Sequence, residues 1–279
     1  MPELPEVETV RRGLERWSRG STITKLETLH PRATNPRSIA PLKDAKNATI
    51  VELGRRGKYL WFQLDRPFAI VAHLGMSGQF RVHESKSASE KHLRARIHLF
   101  DPTQDLTREL RFIDQRTFGW LALSEMRDEV PELVNSIAPD IFDPHFDRTL
   151  ISKKIRSKAG EIKRLLLDQS LMSGVGNIYA DEALWWAKIH PKRTGNHISA
   201  AELRKLLSSV ESVMSKALVE GGTSFDSLYT NVNGESGYFE HSLEAYGRTG
   251  EPCSRCGTPI ERIVIAARSS HFCPRCQRL

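Results

Sequence analysis

All four cysteines of the chain lie near its C-terminus, arranged as two Cys-x-x-Cys pairs. The pairs are separated by 16 residues and consist of Cys253, Cys256, Cys273 and Cys276. Two pairs at this spacing can give four thiolates to one tetrahedral Zn²⁺, and four protein ligands leave no position for water. The spacing therefore predicts a structural zinc. Two disulfides or four free thiols are the alternatives, and a cytosolic location disfavours the disulfides.

The N-terminus brings an amine and carboxylates together at a spacing that suits nucleophilic chemistry. The chain opens Met-Pro-Glu, and removal of the initiator methionine leaves the secondary amine of Pro2 at the terminus. An α-amino group titrates near pH ~8, so a fraction is neutral at pH 7 and able to form Schiff bases. Glu3 lies beside it to donate or accept a proton, and Glu6 follows. A mobile terminus before a helix with an acidic first turn explains the same residues.

Residues 162–184 predict two helices joined by a glycine-rich turn. The segment IKRLLLDQ predicts the first helix, SLMSGVG interrupts it, and a second helix begins near Asn177. Backbone amides at the start of that helix form an anion site, and Lys163 adds a cation nearby. Such a unit suits the phosphates of DNA. An ordinary pair of antiparallel helices fits the pattern as well.

The composition describes a basic globular chain of 279 residues. Its 41 lysines and arginines exceed its 34 acidic residues, which gives a formal net charge of +7. A basic surplus is expected of a protein that binds nucleic acid. No apolar run approaches the roughly 18 residues of a membrane span, and the acidic N-terminus does not have the pattern of a signal peptide. We therefore expect a cytoplasmic protein without membrane contact.

The periodicity of apolar residues divides the chain into parts. Residues 3–17 predict an amphipathic helix. Strand patterns from about 20 to 125 predict antiparallel sheets in a sandwich or barrel, and helical periodicity dominates from about 130 to 220. Two segments rich in small and polar residues predict loops, at 84–91 and 223–247.

Motifs along nearly the whole chain resemble those of the formamidopyrimidine-DNA glycosylase family. The opening PELPEVE and the SGVGNIYADE block are each highly specific, and the match runs from residue 1 to residue 277. The other matching segments are RRGKYL, HLGMSG, DQRTFG, YGRTGEPC and the two Cys-x-x-Cys pairs.

The resemblance implies an α+β fold in three domains. Residues 1–130 would form a catalytic domain of an N-terminal helix and an antiparallel β-sandwich. Residues 131–247 would form a helical DNA-binding domain with a helix-two-turns-helix, and residues 248–279 a four-cysteine zinc finger holding one Zn²⁺. The family also implies a monomer in the bacterial cytoplasm, associated with the nucleoid.

The resemblance implies a base-excision repair enzyme that acts on double-stranded DNA containing oxidised purines or abasic sites. Pro2 would attack the sugar C1′ and become the imine partner, and Glu3 would be the proton donor. Lys58 matches a lysine that contacts DNA near the lesion, although RRGKYL alone also fits an exposed lysine at a strand end. Arg268 matches an arginine of the finger that grips a phosphate, where spacing alone fits a solvated arginine equally well.

Further residues match family positions that contact DNA. Met76, Arg116 and Phe118 match a wedge that fills the gap left by the flipped base, which recovers part of the unstacking cost. The remaining matched contacts are Lys163 and Asn177 at phosphates, together with His92 and Lys158. Residues 222–237 correspond to the lesion-recognition loop of the family.

Two local differences from the family pattern are present. The family commonly has Asp-Pro-Arg-Arg-Phe-Gly where this chain has DQRTFG, so the proline and the second arginine are replaced while Arg116 and Phe118 remain. The finger commonly has Gly-Arg where this chain has Ala267-Arg268. We expect the alanine to alter the hairpin turn without changing the fold.

Three other functions fit parts of the pattern. The endonuclease VIII branch, which prefers oxidised pyrimidines, typically opens with PEGPE and lacks the methionine that is Met76 here. A non-catalytic DNA-binding protein of the same fold would be favoured by a damaged Pro2 or Glu3, or by retention of Met1. A zinc-ribbon RNA-binding protein leaves the amine and carboxylate at the N-terminus unexplained.

Overall fold

A computed structural model describes residues 2–84, 90–222 and 239–279. These residues divide into two compact units. One comprises residues 2–136 with 220–222, and the other comprises 137–219 with 239–279. Most of the loop predicted at 84–91 and of the lesion-recognition segment 222–237 lies outside the described residues. The three-domain boundaries at 130/131 and 247/248 stay a prediction.

The first helix of the first unit, α1, spans Leu4–Ser18. Proline in its first turn suits a helix start, because the missing N–H has no intrahelical acceptor there. Its apolar face is fully or nearly fully buried through Val7, Val10 and Leu14. The predicted helix at 3–17 is therefore confirmed to within one residue at each end.

The rest of the first unit is built on two antiparallel sheets. Their strands are β1 (Thr22–Thr28), β2 (Ile50–Arg56), β3 (Tyr59–Leu64), β4 (Phe68–His73), β5 (Gly78–Glu84), β6 (Leu93–Asp101), β7 (Leu106–Asp114), β8 (Trp120–Arg127) and β9 (Val130–Pro131). One sheet has the order β1-β6-β7-β5, and the other has the order β2-β3-β4-β8-β9.

One hydrophobic core joins α1 to the inner faces of both sheets. Strand β6 shows why, since buried residues alternate with half-buried ones along it and the side chains of a strand point to opposite faces in turn. Phe80 of β5 and Phe112 of β7 pack at 5.1 Å between ring centroids, and Phe62 of β3 lies 5.8 Å from Phe80. The predicted N-terminal helix with an antiparallel β-sandwich is confirmed.

The second unit is helical and ends in a hairpin. Its elements are α3 (Arg148–Arg156), α4 (Ile162–Leu166), α5 (Asn177–Ala187), α6 (Ala200–Val219), β10 (Glu261–Ile265) and β11 (Arg268–Phe272), and the short helix α2 (Glu132–Asn135) belongs to the first unit. The hairpin core contains Trp185 of α5 beside Cys253 and Cys273, so the finger packs on the helical part. Among the described residues, no helix combines the length and apolarity needed to cross a membrane.

Candidate functional site

The N-terminal segment is buried, and a backbone hydrogen bond attaches it to α1. Pro2 and Glu3 are buried, and only 2% of Glu3 is accessible to solvent. Glu6, one turn into α1, accepts a hydrogen bond from the Glu3 backbone N–H at 2.9 Å through Oε2. This bond fixes the residue that directly follows Pro2. The two residues predicted as nucleophile and proton donor are thus buried, whereas a mobile terminus would leave them in solvent, and their chemical roles stay predictions.

An arginine network connects α1 to the turn that carries Lys58. Glu8 Oε2 accepts from Arg55 Nε at 3.0 Å, and Arg55 also donates through Nη1 to the Gly57 carbonyl at 3.1 Å. Burial raises the pKa of Glu8, but hydrogen bonds and charges from arginines including Arg11 outweigh it and lower this pKa to about 2. The carboxylate stays ionised and fixes the β2–β3 turn against the helix.

Lys58 occupies the two-residue turn between β2 and β3, where Gly57 has a positive φ of 57°. Its side chain is buried rather than at an exposed strand end. The alternative of a solvated lysine at an exposed strand end is therefore excluded, and the contact of Lys58 with DNA stays a prediction.

His73 is a residue of this region that the sequence did not single out. Its ring lies 4.8 Å from Tyr59 and stacks on Trp120 at 5.8 Å. Burial, with a smaller effect from the charge of Lys58, lowers its pKa to about 4. Nδ1 accepts from the Gly75 N–H at 3.2 Å, so the neutral ring carries its proton on Nε2. His73 is therefore an uncharged N–H donor at pH 7. The only indication in the sequence was that His73 is the first residue of the matching segment HLGMSG.

The three residues matched to the wedge lie together on two loops. Met76 follows β4, and Arg116 and Phe118 follow β7. Met76 and Phe118 are 41% and 57% exposed, although both are large and apolar. The Arg116 guanidinium lies 3.8 Å from the Met76 sulfur. Exposed apolar side chains beside a cation suit insertion into a base stack, and a core role for Met76 and Phe118 is excluded.

His92 lies next to these loops. It is half-buried with a positive φ of 66°, and its carbonyl accepts the Asp114 N–H at 3.0 Å. One ring nitrogen lies 3.3 Å from Arg94 Nη2. His92 thus lies beside the end of β7 at Asp114, which is two residues before Arg116, and its contact with DNA stays a prediction.

The four cysteine sulfurs converge at one point of the second unit. They lie within 4.8 Å of one another, and Cys256 Sγ is 3.5 Å from both Cys273 Sγ and Cys276 Sγ. Zn–S bonds of about 2.3 Å place tetrahedral thiolates roughly 3.8 Å apart, whereas a disulfide requires about 2.05 Å. The thiols fit one structural Zn²⁺, and the predicted zinc is confirmed.

The glycine-rich turn between α4 and α5 is held by one glutamine. Gln169 donates through Nε2 to the carbonyls of Leu167 and Val175, each at 3.0 Å, and accepts from the Gly174 N–H at 2.9 Å. Gly174 has a positive φ of 88°, a conformation that favours glycine. Asn177 begins α5 and lies 3.4 Å from Ser269 Oγ of the hairpin. The predicted pair of helices is confirmed.

Lys163 does not lie where the family match suggested. It is fully buried, and its ammonium lies 2.6 Å from both Asp181 Oδ1 and the Ser269 carbonyl. A buried ammonium must be paired, and here the pairing turns it away from solvent. We correct the expectation of a direct phosphate contact. In this structure Lys163 joins α4 and α5 to the finger hairpin.

Two acidic residues of α5 extend this connection. Asp181 Oδ2 accepts from the His271 backbone N–H at 2.9 Å, and Oδ1 accepts from Ser270 Oγ at 3.1 Å. Glu182 accepts three backbone N–H groups of residues 244–246 at 2.8–2.9 Å. Asp181 therefore attaches the finger hairpin to α5, and Glu182 attaches the segment that precedes the finger.

Lys158 and Arg268 line one basic cleft of 580 Å³ in the second unit. Both are exposed, and the cleft also contains Arg164, which the sequence did not single out. Three cations outnumber the one carboxylate of the cleft, that of Asp168, and a concave surface of net positive charge suits phosphate oxygens. In the sequence, the only indication that Arg164 could belong to this site is that it directly follows Lys163 on α4.

These features define a class: an antiparallel sandwich with a buried N-terminal proline and glutamate, and a helix-two-turns-helix unit bearing a four-cysteine finger. Family models match in the same order. The formamidopyrimidine-DNA glycosylase N-terminal domain matches residues 1–121, its H2TH domain 137–228, and the zinc finger found in FPG and IleRS 250–279. The chain belongs to the formamidopyrimidine-DNA glycosylase family.

Similar proteins cover the chain almost completely. A formamidopyrimidine-DNA glycosylase of Streptomyces coelicolor is 53% identical over 286 residues, covering 100% of this chain and 98% of that protein. One of Nocardioides sp. is 52% identical over 280 residues, covering 99% and 94%. A solved complex between the Lactococcus lactis Fpg and DNA containing an abasic site has a TM-score of 0.89 and 37% identity, covering 99% of this chain and 100% of that one.

Proposed function

We propose that this chain is a DNA glycosylase and AP lyase that removes oxidised purines, including 8-oxoguanine and formamidopyrimidines, from double-stranded DNA in base excision repair. Relatives with full-length coverage are named formamidopyrimidine-DNA glycosylase, and related solved structures hold DNA with an abasic site or Fapy-dG. The observation that carries the proposal is the burial of Pro2 and Glu3 at the start of α1, with the Glu3 backbone bound to Glu6. This burial supports an acid that is positioned beside the amine that removal of Met1 would free.

The first chemical step exchanges one bond at C1′ for another. The neutral amine of Pro2 attacks C1′, the C1′–N9 bond breaks, and the electron pair of that bond leaves with the base. The proton that the amine loses passes to the departing base, and a proton from Glu3 passes to O4′ as the sugar ring opens. An iminium between Pro2 and C1′ of the opened sugar remains.

Strand cleavage follows from the acidity of the iminium. Loss of a C2′ proton expels the 3′ phosphate in β-elimination, and a second elimination expels the 5′ phosphate. Water then releases the sugar fragment and restores the amine. The wedge of Met76, Arg116 and Phe118 occupies the gap in the duplex while the damaged base is extrahelical, and Arg116 hydrogen-bonds the orphaned partner base.

The second unit holds the phosphate backbone. Lys158 and Arg268 bind phosphates from the cleft that they share with Arg164, and Asn177 binds at the start of α5. Such contacts fix position without reading sequence, as suits an enzyme that searches any DNA. When bound, Zn²⁺ stabilises the finger that carries Arg268 and takes no part in proton transfer.

Borohydride trapping tests the proposal. A duplex with one 8-oxoguanine opposite cytosine is incubated with the protein and borohydride, and the adduct is digested and mapped by mass spectrometry. We expect a covalent link at Pro2 after loss of Met1. An adduct at another residue, or base loss without any adduct, refutes the assignment of Pro2.

Two variants separate the roles of the terminal residues. Pro2→Gly should weaken excision, and Glu3→Gln should nearly abolish it, while both retain DNA affinity because neither residue holds the backbone. Thr9→Ser, on a half-buried position of the same helix, is the matched control. Loss of DNA binding in Pro2→Gly or Glu3→Gln would contradict a purely chemical role.

A non-catalytic DNA-binding role is the second candidate. It applies if Met1 is retained, since acylation of the Pro2 nitrogen removes its nucleophilicity. Intact-mass measurement with DNA affinity separates the two functions. We further propose a monomer of three domains, divided at 130/131 and 247/248, that works at the bacterial nucleoid in the cytoplasm, and light scattering with and without DNA tests the monomer.

A further inference from the structure

Asp114 is a fully buried carboxylate at the end of β7, directly before the loop that carries Arg116 and Phe118. Its Oδ2 accepts the Gly119 N–H at 2.7 Å, and its Oδ1 accepts the Arg116 N–H at 3.1 Å. These two bonds close the loop from both ends around Phe118. The functions described above do not use this carboxylate.

The same carboxylate also holds the other wedge loop. Ser77, the residue after Met76, donates through Oγ to Asp114 Oδ1 at 2.5 Å. Ser77 Oγ in turn accepts the Arg116 N–H at 3.0 Å, so the hydroxyl lies between the loops. One charged group therefore fixes three points on two segments that are 37 residues apart in sequence.

The two loops are in backbone contact where these bonds form. A Cβ added to Gly75, which has a positive φ of 62°, would lie 2.5 Å from the Phe118 carbonyl carbon and from the Gly119 nitrogen. Only glycine permits this approach. Close packing combined with hydrogen bonds to a charge leaves Met76 and Phe118 little freedom to move apart.

A turn-forming aspartate alone would not need all of these contacts. Asp101, at the end of β6, accepts the Thr103 N–H at 2.9 Å and the Thr103 hydroxyl at 2.6 Å through Oδ1, so this oxygen serves its own turn. Asp114 differs because it is fully buried and binds Ser77, which is 37 residues away, whereas Asp101 Oδ2 binds Arg108 of the adjacent strand β7 at 3.3 Å. The two residues thus form a natural pair of test and control.

We propose that Asp114 is the positioning residue of the wedge, which sets Met76, Arg116 and Phe118 in one rigid arrangement before DNA arrives. This inference rests on the proposed function of the wedge. Pre-positioning matters because the inserted side chains offset the free-energy cost of extruding a base. Side chains that are already ordered fill the gap without a further loss of conformational entropy, so they offset more of this cost. Asp114 acts through the loops and does not contact the reacting atoms.

The test compares Asp114→Asn with Asp101→Asn on two substrates. Single-turnover excision is measured on a duplex with 8-oxoguanine opposite cytosine, and borohydride trapping on a single strand with one abasic site, which has no base stack to wedge. In Asp114→Asn, the new NH₂ group faces the donor of Gly119 in one orientation and the donors of Ser77 and Arg116 in the other. A hydrogen bond of the loops is therefore lost in both orientations. We expect Asp114→Asn to slow duplex excision by about 10-fold or more and to leave trapping within about twofold, while Asp101→Asn changes neither.

A fluorescence signal reports the wedge directly. With 2-aminopurine next to the lesion, wild-type binding should raise the emission as the stack opens, and Asp114→Asn should reduce this rise. Ser77→Ala keeps the carboxylate and its two backbone donors, so it should give a smaller loss in the same direction. It serves as the test variant if Asp114→Asn does not fold.

The outcomes separate the two proposals. Equal losses on duplex and single strand, or wild-type rates in Asp114→Asn and Ser77→Ala, overturn the positioning role. Absence of excision and adduct in the wild type refutes the proposed function instead, and the 2-aminopurine signal then decides whether Asp114 positions a wedge.

Discussion

The buried pair of Lys163 and Asp181 supports one quantitative prediction about the attachment of the finger. Both side chains are fully buried, with 2.6 Å between Lys163 Nζ and Asp181 Oδ1. Asp181→Asn removes the negative charge and leaves an ammonium in the interior. Removal of one partner of a buried ion pair costs about 3–5 kcal/mol, a large part of the total stability of about 5–15 kcal/mol. The new NH₂ adds to this cost, because donors from Lys163 or from His271 face it.

The reverse change should cost less. Lys163→Met leaves the Asp181 carboxylate with Ser270 Oγ and the His271 N–H as donors, whereas Asp181→Asn removes the counter-charge of the ammonium. The expected order of destabilisation is therefore Asp181→Asn above Lys163→Met. Glu211→Gln is the control, because its pair with Arg148 is more than 40% exposed on both sides and should contribute at most about 1 kcal/mol.

Hydrogen exchange of the finger peptide in the zinc-loaded protein measures the effect. Two compact units need not unfold together, so a local probe is preferable to one global transition. Asp181→Asn should speed exchange of the β11 amides by about 100-fold or more, which corresponds to about 3 kcal/mol. Exchange within about tenfold of wild type, or a larger effect of Lys163→Met, would refute the reasoning.

Three further results are expected. His73 has a pKa of about 4 in the folded protein and about 6.5 in the unfolded chain, so the unfolded state binds the proton first as the pH falls. The free energy of unfolding in urea should therefore decrease by about 2 kcal/mol between pH 7.5 and pH 5, and His73→Asn should remove this decrease. Ala266 and Ala267 form the hairpin turn with φ of 49° and 59°, so Ala267→Gly should stabilise the finger by about 0.5–1 kcal/mol, and equal or faster zinc loss to a chelator would contradict this. Removal of zinc should abolish DNA binding while the circular dichroism of the sandwich persists, and unchanged affinity would exclude the finger from binding.

The turn at Ala267 shows how a local difference from the family pattern is accommodated. Both alanines adopt the left-handed conformation that the two-residue hairpin requires, and the β10–β11 register remains regular from Glu261 to Phe272. The expectation that the fold survives is confirmed. Thr117, which stands where the family commonly has a second arginine, also has a positive φ, of 54°, and the strands β7 and β8 form on either side of it.

Local patterns in the sequence determined much of this protein. The spacing of the cysteines determined the zinc centre, because tetrahedral thiolate ligation needs only two short knuckles. The apolar periodicity determined α1 and α6, since each helix buries one face. Motif matches, complete in PELPEVE and partial in DQRTFG, predicted the roles of Pro2, Glu3 and the wedge residues. The sequence does not by itself show that the terminus is buried.

Only the tertiary structure decided the roles of the buried polar groups. Lys163 resembles a phosphate ligand in sequence, but its acceptor on Ser269 lies 106 residues away. Asp181 meets His271 across 90 residues, and Asp114 meets Ser77 across 37. A charged side chain can face solvent or pair internally, and which of these holds depends on the partners that folding brings within hydrogen-bond distance. Periodicity and motif spacing contain no information about such distant partners.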